Sequence, residues 1–173
     1  TSAEVYGIVP VALLPVTELT PIQPNSPYGA SKAAAEIAAR QYRDVYGLDV
    51  TIVRPFNHIG PGQDPRFVVP SIAQQIAQAE ASGTPRVELH VGNLVTRRDF
   101  LDVRDVVRAY RQIAVDGGRG QTYVVATGRS QPVGDLVASL AQMSTIPVDI
   151  ISDASRRRDG EQPDLYGCAN HLT

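Results

Sequence analysis

The sequence is poor in the residues that build covalent cross-links and membrane segments. Its 173 residues include one cysteine, Cys168, and no apolar run approaches the roughly 20 residues that span a bilayer. A single cysteine excludes a disulfide framework and a thiolate zinc site, and it fits a reducing cytoplasm. No group of carboxylates joins the three histidines in a metal-binding pattern. We therefore expect neither a membrane partner nor a bound metal.

The chain also lacks the charge imbalance that marks nucleic-acid-binding proteins. Its formal net charge is -2, and its sustained basic run, Arg156–Arg158, is followed at once by Asp159 and Glu161. With 43% hydrophobic and 20% charged residues, the composition is that of a globular chain able to bury a core. No nucleic-acid partner is expected.

Helical and strand-like segments alternate along the chain. Residues 1–7 are predicted to be the end of a buried strand, and the proline-rich residues 8–27 a loop. Helices are predicted over residues 28–46, 68–81, 103–115 and 132–143, and strands over 49–53, 87–91, 122–126 and 148–151. Strands that alternate with helices of about ten or more residues indicate parallel βα units, so the fold class is α/β.

A tyrosine and a lysine, Tyr28 and Lys32, stand four residues apart at the start of the first predicted helix. Residues with this spacing share one helix face. Because an ammonium beside a phenol favours the phenolate, Tyr28 can act as general acid or base between an alcohol and a carbonyl. The same spacing is common on amphipathic helices, so the neighbouring motifs must decide its meaning.

Several motifs accompany this pair. They are Ser2 upstream, Ser26–Lys32 around the pair itself, Arg54–Gly62 after the next strand, Arg98–Asp105, and Arg156-x-Arg158-x-x-Glu161. The arrangement resembles the extended branch of the short-chain dehydrogenase/reductases, and within it the GDP-4-keto-6-deoxy-mannose reductases, over nearly the whole chain. The resemblance implies the rear part of a Rossmann-type doubly wound parallel sheet plus a smaller substrate-binding domain.

The resemblance implies catalytic and cofactor roles for four residues. Ser2, Tyr28 and Lys32 form a catalytic triad. Tyr28, Lys32 and Pro55 also contact the nicotinamide cofactor, which is NADP or NAD, with NADP slightly preferred.

Substrate contacts implied by the resemblance are Glu4, Asn57, Arg98, Arg158 and Glu161. The two arginines suit the diphosphate, because a guanidinium matches phosphate bidentately. Glu161 suits the nucleoside hydroxyls, which donate to a carboxylate. The partner is thus a nucleotide sugar, expected to be GDP-linked.

Other ionisable residues have a structural interpretation. Arg54 is expected in an internal ion pair, and His58 beside a Gly-Pro turn is expected to be structural. Asp102 and Asp105 fit the cap and the first-turn acid of a helix.

The function implied is NAD(P)H-dependent reduction of the 4-keto group of a GDP-4-keto-6-deoxy-sugar, with Tyr28 as proton donor. A GDP-mannose 4,6-dehydratase or an NDP-sugar epimerase with the same core is the alternative within enzymes. A non-catalytic truncated fragment is the alternative from another class. Ala3 stands where nucleotide-glucose dehydratases carry an Asp, but GDP-mannose dehydratases lack that Asp as well. Gly60–Gln63 and Phe100 differ from the residues typical of GDP-mannose dehydratases, and both differences favour the reductase.

A glycine-rich phosphate turn after a first strand, which dinucleotide-binding domains carry, is missing from the sequence. We therefore expect the cofactor-binding front half to lie outside this chain. Residues 1–58 and 95–127 are predicted to be the rear part of the Rossmann domain, and residues 59–94 and 128–173 the substrate domain. The complete protein is expected to be a homodimer.

Overall fold

The computed structural model describes residues 1–156, 160–168 and 170. In this part of the chain the α-helices are α1 (Pro27–Tyr46), α2 (Val68–Ala81), α3 (Val103–Asp116) and α4 (Val133–Met143). The strands are β1 (Ile52–Pro55), β2 (Asn57–Ile59), β3 (Val87–Val91), β4 (Arg97–Arg98), β5 (Phe100–Asp102), β6 (Thr122–Val125), β7 (Gln131–Pro132), β8 (Val148–Ser152) and β9 (Asp164–Leu165). Among these helices, none is both long and apolar enough to cross a membrane.

The chain divides into two compact units. Unit 1 comprises residues 1–58, 98–130 and the described residues from 164 onward, and unit 2 comprises the described residues of 59–97 and 131–163. The crossing after residue 58 lies where it was predicted, and the next two lie three residues later than predicted, after residues 97 and 130. The described residues after 163 belong to unit 1 instead of unit 2. The reason is backbone pairing, since Asp99 N donates to Leu165 O at 3.1 Å and Val16 N donates to Tyr166 O at 3.0 Å. The assignment of one unit to cofactor and the other to substrate stays a prediction.

Unit 1 is built around a parallel pair of strands. β1 pairs with β6 from Ile52 opposite Thr122 to Pro55 opposite Val125. Helices α1 and α3 both contribute side chains to the hydrophobic core around these two strands. The buried residues of this core include Val5, Val16, Ala33, Phe56, Leu101, Val106, Ile113, Val124 and Leu165. Burial of such aliphatic side chains is the main source of stability for the unit.

Unit 2 repeats the same principle on a smaller scale. β3 pairs in parallel with β8, from Val87 opposite Val148 to Val91 opposite Ser152. Helix α2 packs against α4 and β3. The buried apolar residues of this unit are Ile72, Ile76, Leu89, Val91, Val133 and Val137. Parallel pairing in both units confirms the α/β class.

Helix α1 begins and ends where its sequence signals stand. The Ser26 hydroxyl accepts a hydrogen bond from Gly29 N at 3.0 Å, and Pro27 occupies the first helical position. Gly47 ends the helix in the left-handed conformation, with φ 66°. The predicted helix over residues 28–46 is therefore confirmed, with one more residue at its start.

The prediction of a strand end over residues 1–7 is wrong. Ala3–Tyr6 forms a 3-10 helix, which begins at Ser2 and ends at Gly7 with φ 63°. Gly7 is required there, because a Cβ at that position would stand 1.9 Å from the backbone oxygen of Gln23. The residues that were predicted to end a strand instead form one tight turn, in which Ala3, Val5 and Tyr6 are buried.

Candidate active site

Tyr28 and Lys32 lie in the first turns of α1 on one face of the helix. The Lys32 Nζ is 5.5 Å from the centre of the Tyr28 ring, as their spacing predicted. Tyr28 is 54% exposed, and Lys32 is half-buried. A phenol that is open to solvent and has an ammonium over its ring is a proton donor that a ligand can reach.

Ser2 begins the turn that precedes this helix in unit 1. Its Oγ accepts a hydrogen bond from Glu4 N at 3.2 Å. A hydroxyl that accepts such a bond still has its own hydrogen to donate. Ser2 is half-buried and Glu4 is exposed, so the Ser2 hydroxyl retains the chemistry needed to bind a carbonyl oxygen.

Gly29 allows the start of α1 to lie directly against this turn. A Cβ at position 29 would stand 2.5 Å from the Glu4 backbone oxygen and 3.1 Å from the Cβ of Pro24. Only a glycine permits so close an approach of two backbones. The segment that carries Tyr28 and the segment that carries Ser2 are thereby brought into contact, a consequence that the sequence analysis missed although Gly29 directly follows Tyr28.

A second tyrosine, Tyr110 on α3, lies near enough to Tyr28 to interact with it electrostatically. Burial raises the pKa of Tyr110, and the neighbouring Tyr28 raises it further. Both effects favour the protonated form of the Tyr110 phenol. Sequence reasoning missed it because the two tyrosines lie on different helices, far apart in the chain.

The end of β1 presents Pro55 and Asn57. Pro55 is buried, and Asn57, the first residue of β2, is exposed. Between them, Phe56 N donates to Val125 O at 2.9 Å, and the Phe56 carbonyl lies 2.9 Å from the Nδ1 of His58. This contact with the backbone supports the structural interpretation of His58. Asn57 follows the carboxyl end of a parallel strand, which is the edge where α/β proteins bind ligands.

Glu36 on α1 and Arg54 in β1 form a buried ion pair in unit 1. Arg54 Nε lies 3.1 and 3.2 Å from the two carboxylate oxygens, and Nη2 contacts Oε1 as well. Burial acts to raise the pKa of Glu36, but the hydrogen bonds and charges of Arg54 and Arg40 outweigh it and hold that pKa below its usual range. The ion pair expected of Arg54 is thus observed, while its partner Glu36 was not predicted.

Arg54 of this ion pair also binds Tyr6 in the Ser2 turn. Arg54 Nη1 donates to the Tyr6 hydroxyl and to the backbone oxygen of Glu18, both at 3.1 Å. The Tyr6 hydroxyl in turn donates to Thr17 O at 2.9 Å. Burial raises the pKa of Tyr6, against the opposing effect of Arg54, so Tyr6 keeps the proton that it donates.

The expected nucleotide contacts are distributed over the chain. Arg98 in β4 and Glu161 in unit 2 are both half-buried, and Arg158 lies outside the described residues. Next to Arg98, the buried Asp99 accepts hydrogen bonds from Thr127 N at 2.9 Å and Gly128 N at 3.1 Å, which anchors the backbone there. The nucleotide roles of the three residues remain predictions.

Asp102 and Asp105 have the structural roles expected of them. Asp102 caps α3, since its Oδ1 accepts a hydrogen bond from Arg104 N at 2.8 Å. The side chain of Arg104 holds the pKa of Asp102 well below its usual range. Asp105 lies in the first turn of α3 and pairs with Arg108.

Known proteins are similar to this chain in sequence and in fold. Residues 1–164 match the family described as GDP-mannose 4,6 dehydratase. The chain is 40% identical over 167 residues to GDP-6-deoxy-D-mannose reductase of Pseudomonas aeruginosa. The aligned region covers 96% of this chain and 55% of that relative. The chain is 31% identical over 151 residues to GDP-mannose 4,6 dehydratase of Dictyostelium discoideum, and this alignment covers 87% of the chain and 40% of that relative.

A solved structure agrees with these relatives. The structure of RMD from Pseudomonas aeruginosa complexed with NADPH has a TM-score of 0.91 and 39% sequence identity, over 99% of this chain and 57% of that one. The chain spans about half the length of the curated relatives it matches.

Proposed function

The chain belongs to the GDP-mannose 4,6 dehydratase family, and on that premise we propose that it is the rear part of an NAD(P)H-dependent reductase. Its substrate would be a GDP-4-keto-6-deoxy-sugar, which it reduces at the 4-keto group. The observation that carries the proposal is the exposed Tyr28 phenol with the Lys32 ammonium beside it, at a helix start that contacts the Ser2 turn.

Each member of this group has a task in reducing a ketone. The Tyr28 hydroxyl transfers its proton to the carbonyl oxygen of the substrate. The Lys32 ammonium stabilises the phenolate that is left behind, and the Ser2 hydroxyl donates a hydrogen bond to the same carbonyl oxygen. A positioned proton donor of this kind contributes about 10²–10⁴-fold to the rate.

A reduced nicotinamide supplies the hydride when it is bound. Lys32 suits its nicotinamide ribose, because the ammonium can donate to the ribose hydroxyls. The contact of Pro55, which is buried at the end of β1, rests on the resemblance alone. Either NADP or NAD is compatible with them. The support for NADP is the related Pseudomonas aeruginosa structure, which is complexed with NADPH.

Reduction is proposed in preference to dehydration for two reasons. The identity to the Pseudomonas aeruginosa reductase, 40%, exceeds the 31% found with the Dictyostelium discoideum dehydratase. Gly60–Gln63 and Phe100 also differ from the residues that the resemblance gives as typical of GDP-mannose dehydratases. Dehydration needs further acid-base groups beside Ser2, of which Glu4 could supply one.

Three further features complete the proposal. The GDP group is contacted by Arg98, Arg158 and Glu161, on the strength of the resemblance. The complete protein forms a homodimer, which is supported by exposed apolar side chains on α1 and α3. These are Ile37, Tyr42, Val45, Tyr46, Val107 and Val115, each more than half exposed. A cytoplasmic location suits the single free cysteine.

The proposal is tested with the full-length protein and two substrates. With GDP-4-keto-6-deoxy-mannose and NADPH, we expect one NADPH to be oxidised for each sugar reduced, followed at 340 nm and by mass spectrometry. With GDP-mannose and catalytic cofactor, we expect no 4-keto-6-deoxy product. Accumulation of that product would make the protein a dehydratase, and inactivity in both assays would favour a non-catalytic role.

A further inference from the structure

One buried polar network joins the three segments of unit 1 that carry the proposed catalytic and cofactor residues. Glu36 on α1 follows Lys32 by about one helical turn. Arg54 lies in β1, the strand that ends at the predicted cofactor contact. Tyr6 ends the 3-10 helix that Ser2 begins. Glu36, Arg54 and Tyr6 are 0%, 2% and 1% exposed, so the three segments meet through groups that solvent does not reach.

Arg54 is the centre of this network and fixes its geometry. Its Nε binds both oxygens of Glu36 at 3.1 and 3.2 Å, and its Nη1 donates to the Tyr6 hydroxyl at 3.1 Å. Its guanidinium carbon also lies 5.1 Å from the centre of the Tyr6 ring. Because a guanidinium is planar and its donors form a rigid fork, the helix, the strand and the turn cannot shift independently without breaking one of these contacts.

The energetics of such a pair favour a directional role over a merely stabilising one. Removing two charges from water costs about as much as their mutual attraction returns, and apolar residues of similar volume often serve stability equally well. Aliphatic side chains could therefore hold α1 to β1. Only directional contacts, however, would hold the helix at one fixed register against both the strand and the turn.

We propose that Glu36, Arg54 and Tyr6 are positioning residues for the catalytic triad. They hold α1, β1 and the Ser2 turn in the register at which the Tyr28 hydroxyl can pass its proton to a substrate that Ser2 also binds. This inference rests on the proposed function, since it assigns these residues a part in the same reaction.

The decisive variant is Glu36→Leu/Arg54→Met in the full-length protein. It removes both charges together and keeps similar side-chain volumes, so the fold is expected to survive. We expect kcat for 4-keto-sugar reduction to fall about 10²-fold, because displacements of about 1 Å have effects of that size. The KM should change little, since the nucleotide contacts are retained. A folded double variant with normal kcat, or with only its KM raised, overturns the proposal.

Two single variants separate positioning from general destabilisation. Tyr6→Phe removes only the hydroxyl between Arg54 and Thr17 and should lower kcat about tenfold, less than the double variant. Arg40→Ala is the matched control, because Arg40 binds the same Glu36 carboxylate at 3.1 Å but otherwise contacts Thr122 in β6. It should leave kcat unchanged. Equal losses in the two variants contradict the proposal, and this comparison decides the question if the double variant does not fold.

A readout without substrate keeps this inference distinct from the proposed function. In protein with ¹³C-labelled tyrosine, the ring signal of Tyr28 is assigned from its loss in Tyr28→Phe. We expect that signal to move in the double variant and to stay in place in Arg40→Ala. A native protein inactive on the keto sugar refutes the proposed function only. An unmoved Tyr28 signal in the double variant refutes the positioning role.

Discussion

The backbone of Gly29 lies so close to Glu4 that a Cβ on Gly29 would stand 2.5 Å from the Glu4 carbonyl oxygen. Gly29 is the third residue of α1, where its φ is ordinary for a helix and any residue could adopt the backbone conformation. The glycine is therefore required by space and not by backbone conformation. It permits the contact between the helix that carries Tyr28 and the turn that carries Ser2.

Replacing this glycine should reverse the usual effect of such a substitution. In an exposed helix, Gly→Ala stabilises by about 1 kcal/mol. Gly29→Ala should instead destabilise by about 1–3 kcal/mol, because the methyl group meets the backbone oxygen of Glu4 and the side chain of Pro24. It should also lower turnover, since the helix start must move away from the turn. Urea unfolding and steady-state kinetics measure both effects. Ala30→Gly at the neighbouring exposed position is the control, and it should show only the loss of helix propensity.

Tyr28→Phe tests the proton donor. It removes one exposed hydroxyl and leaves the ring that lies beside Lys32, so the fold and the affinity for the nucleotide sugar should be kept. Turnover should fall about 10²–10⁴-fold. Tyr42→Phe, on the same helix and also exposed, should retain full activity. A Tyr28→Phe enzyme with near-normal turnover would remove this residue from the mechanism.

The regular elements of the fold were predictable because their signals are local. The Ser26-Pro27 start and the Gly47 end of α1, and the Asp102 cap of α3, each act within a few residues. The strands of two or three residues were not predicted, since so short a segment has no periodicity to detect. The segment of residues 1–7 was taken for the end of a buried strand, whereas its conformation depends on Gly7 fitting against Gln23, a contact between segments that the local sequence does not show.

The candidate site likewise contains residues that sequence spacing predicts and residues that only contacts between distant segments bring in. Tyr28 and Lys32 are four residues apart, and sequence alone put them on one face. Glu36 and Tyr6 take part through contacts with Arg54 from distant segments, which spacing cannot reveal. One signal for Glu36 was available, because this acid stands four residues after Lys32 in an alanine-rich helix. The same spacing, however, is that of an ordinary exposed ion pair on a helix, so it does not distinguish a buried carboxylate.

If Arg158 and Glu161 contact the nucleotide, replacing them should lower the affinity for GDP more than it lowers the turnover of the saturated enzyme. Arg158→Ala and Glu161→Ala in the full-length protein should each weaken GDP binding about 10–100-fold, the usual worth of a hydrogen bond to a charged group. The rate of the saturated enzyme should change less, because these groups are remote from the reacting carbon. Calorimetric titration with GDP measures the affinity. Arg156→Ala is the control, since that side chain already pairs with Asp153, and unchanged affinity in all three variants would contradict the assignment.

Glu36 predicts how stability depends on pH. Its folded-state pKa is held below the unfolded value, which is about 4.3, because the charged form is paired with Arg54 and Arg40. A carboxylate with a lowered pKa contributes its stability fully above the unfolded value and loses it as the pH falls through the folded value. The contribution of Glu36 should therefore be complete at pH 7 and decline below about pH 5.

Glu36→Gln makes this dependence measurable. The variant should be about 3–5 kcal/mol less stable than the native protein at pH 7, because it leaves Arg54 buried without its counter-ion. The difference should shrink as the pH falls below about 5, because the unfolded chain takes up a proton on this carboxylate before the native protein does. Urea unfolding at several pH values between 7 and 3 gives both quantities. Asp64→Asn is the matched control: Arg66 lowers the pKa of Asp64 as well, but this pair is exposed to solvent and salt screens it. A Glu36→Gln protein whose deficit stays constant over this range would show that the carboxylate charge contributes nothing to the pair.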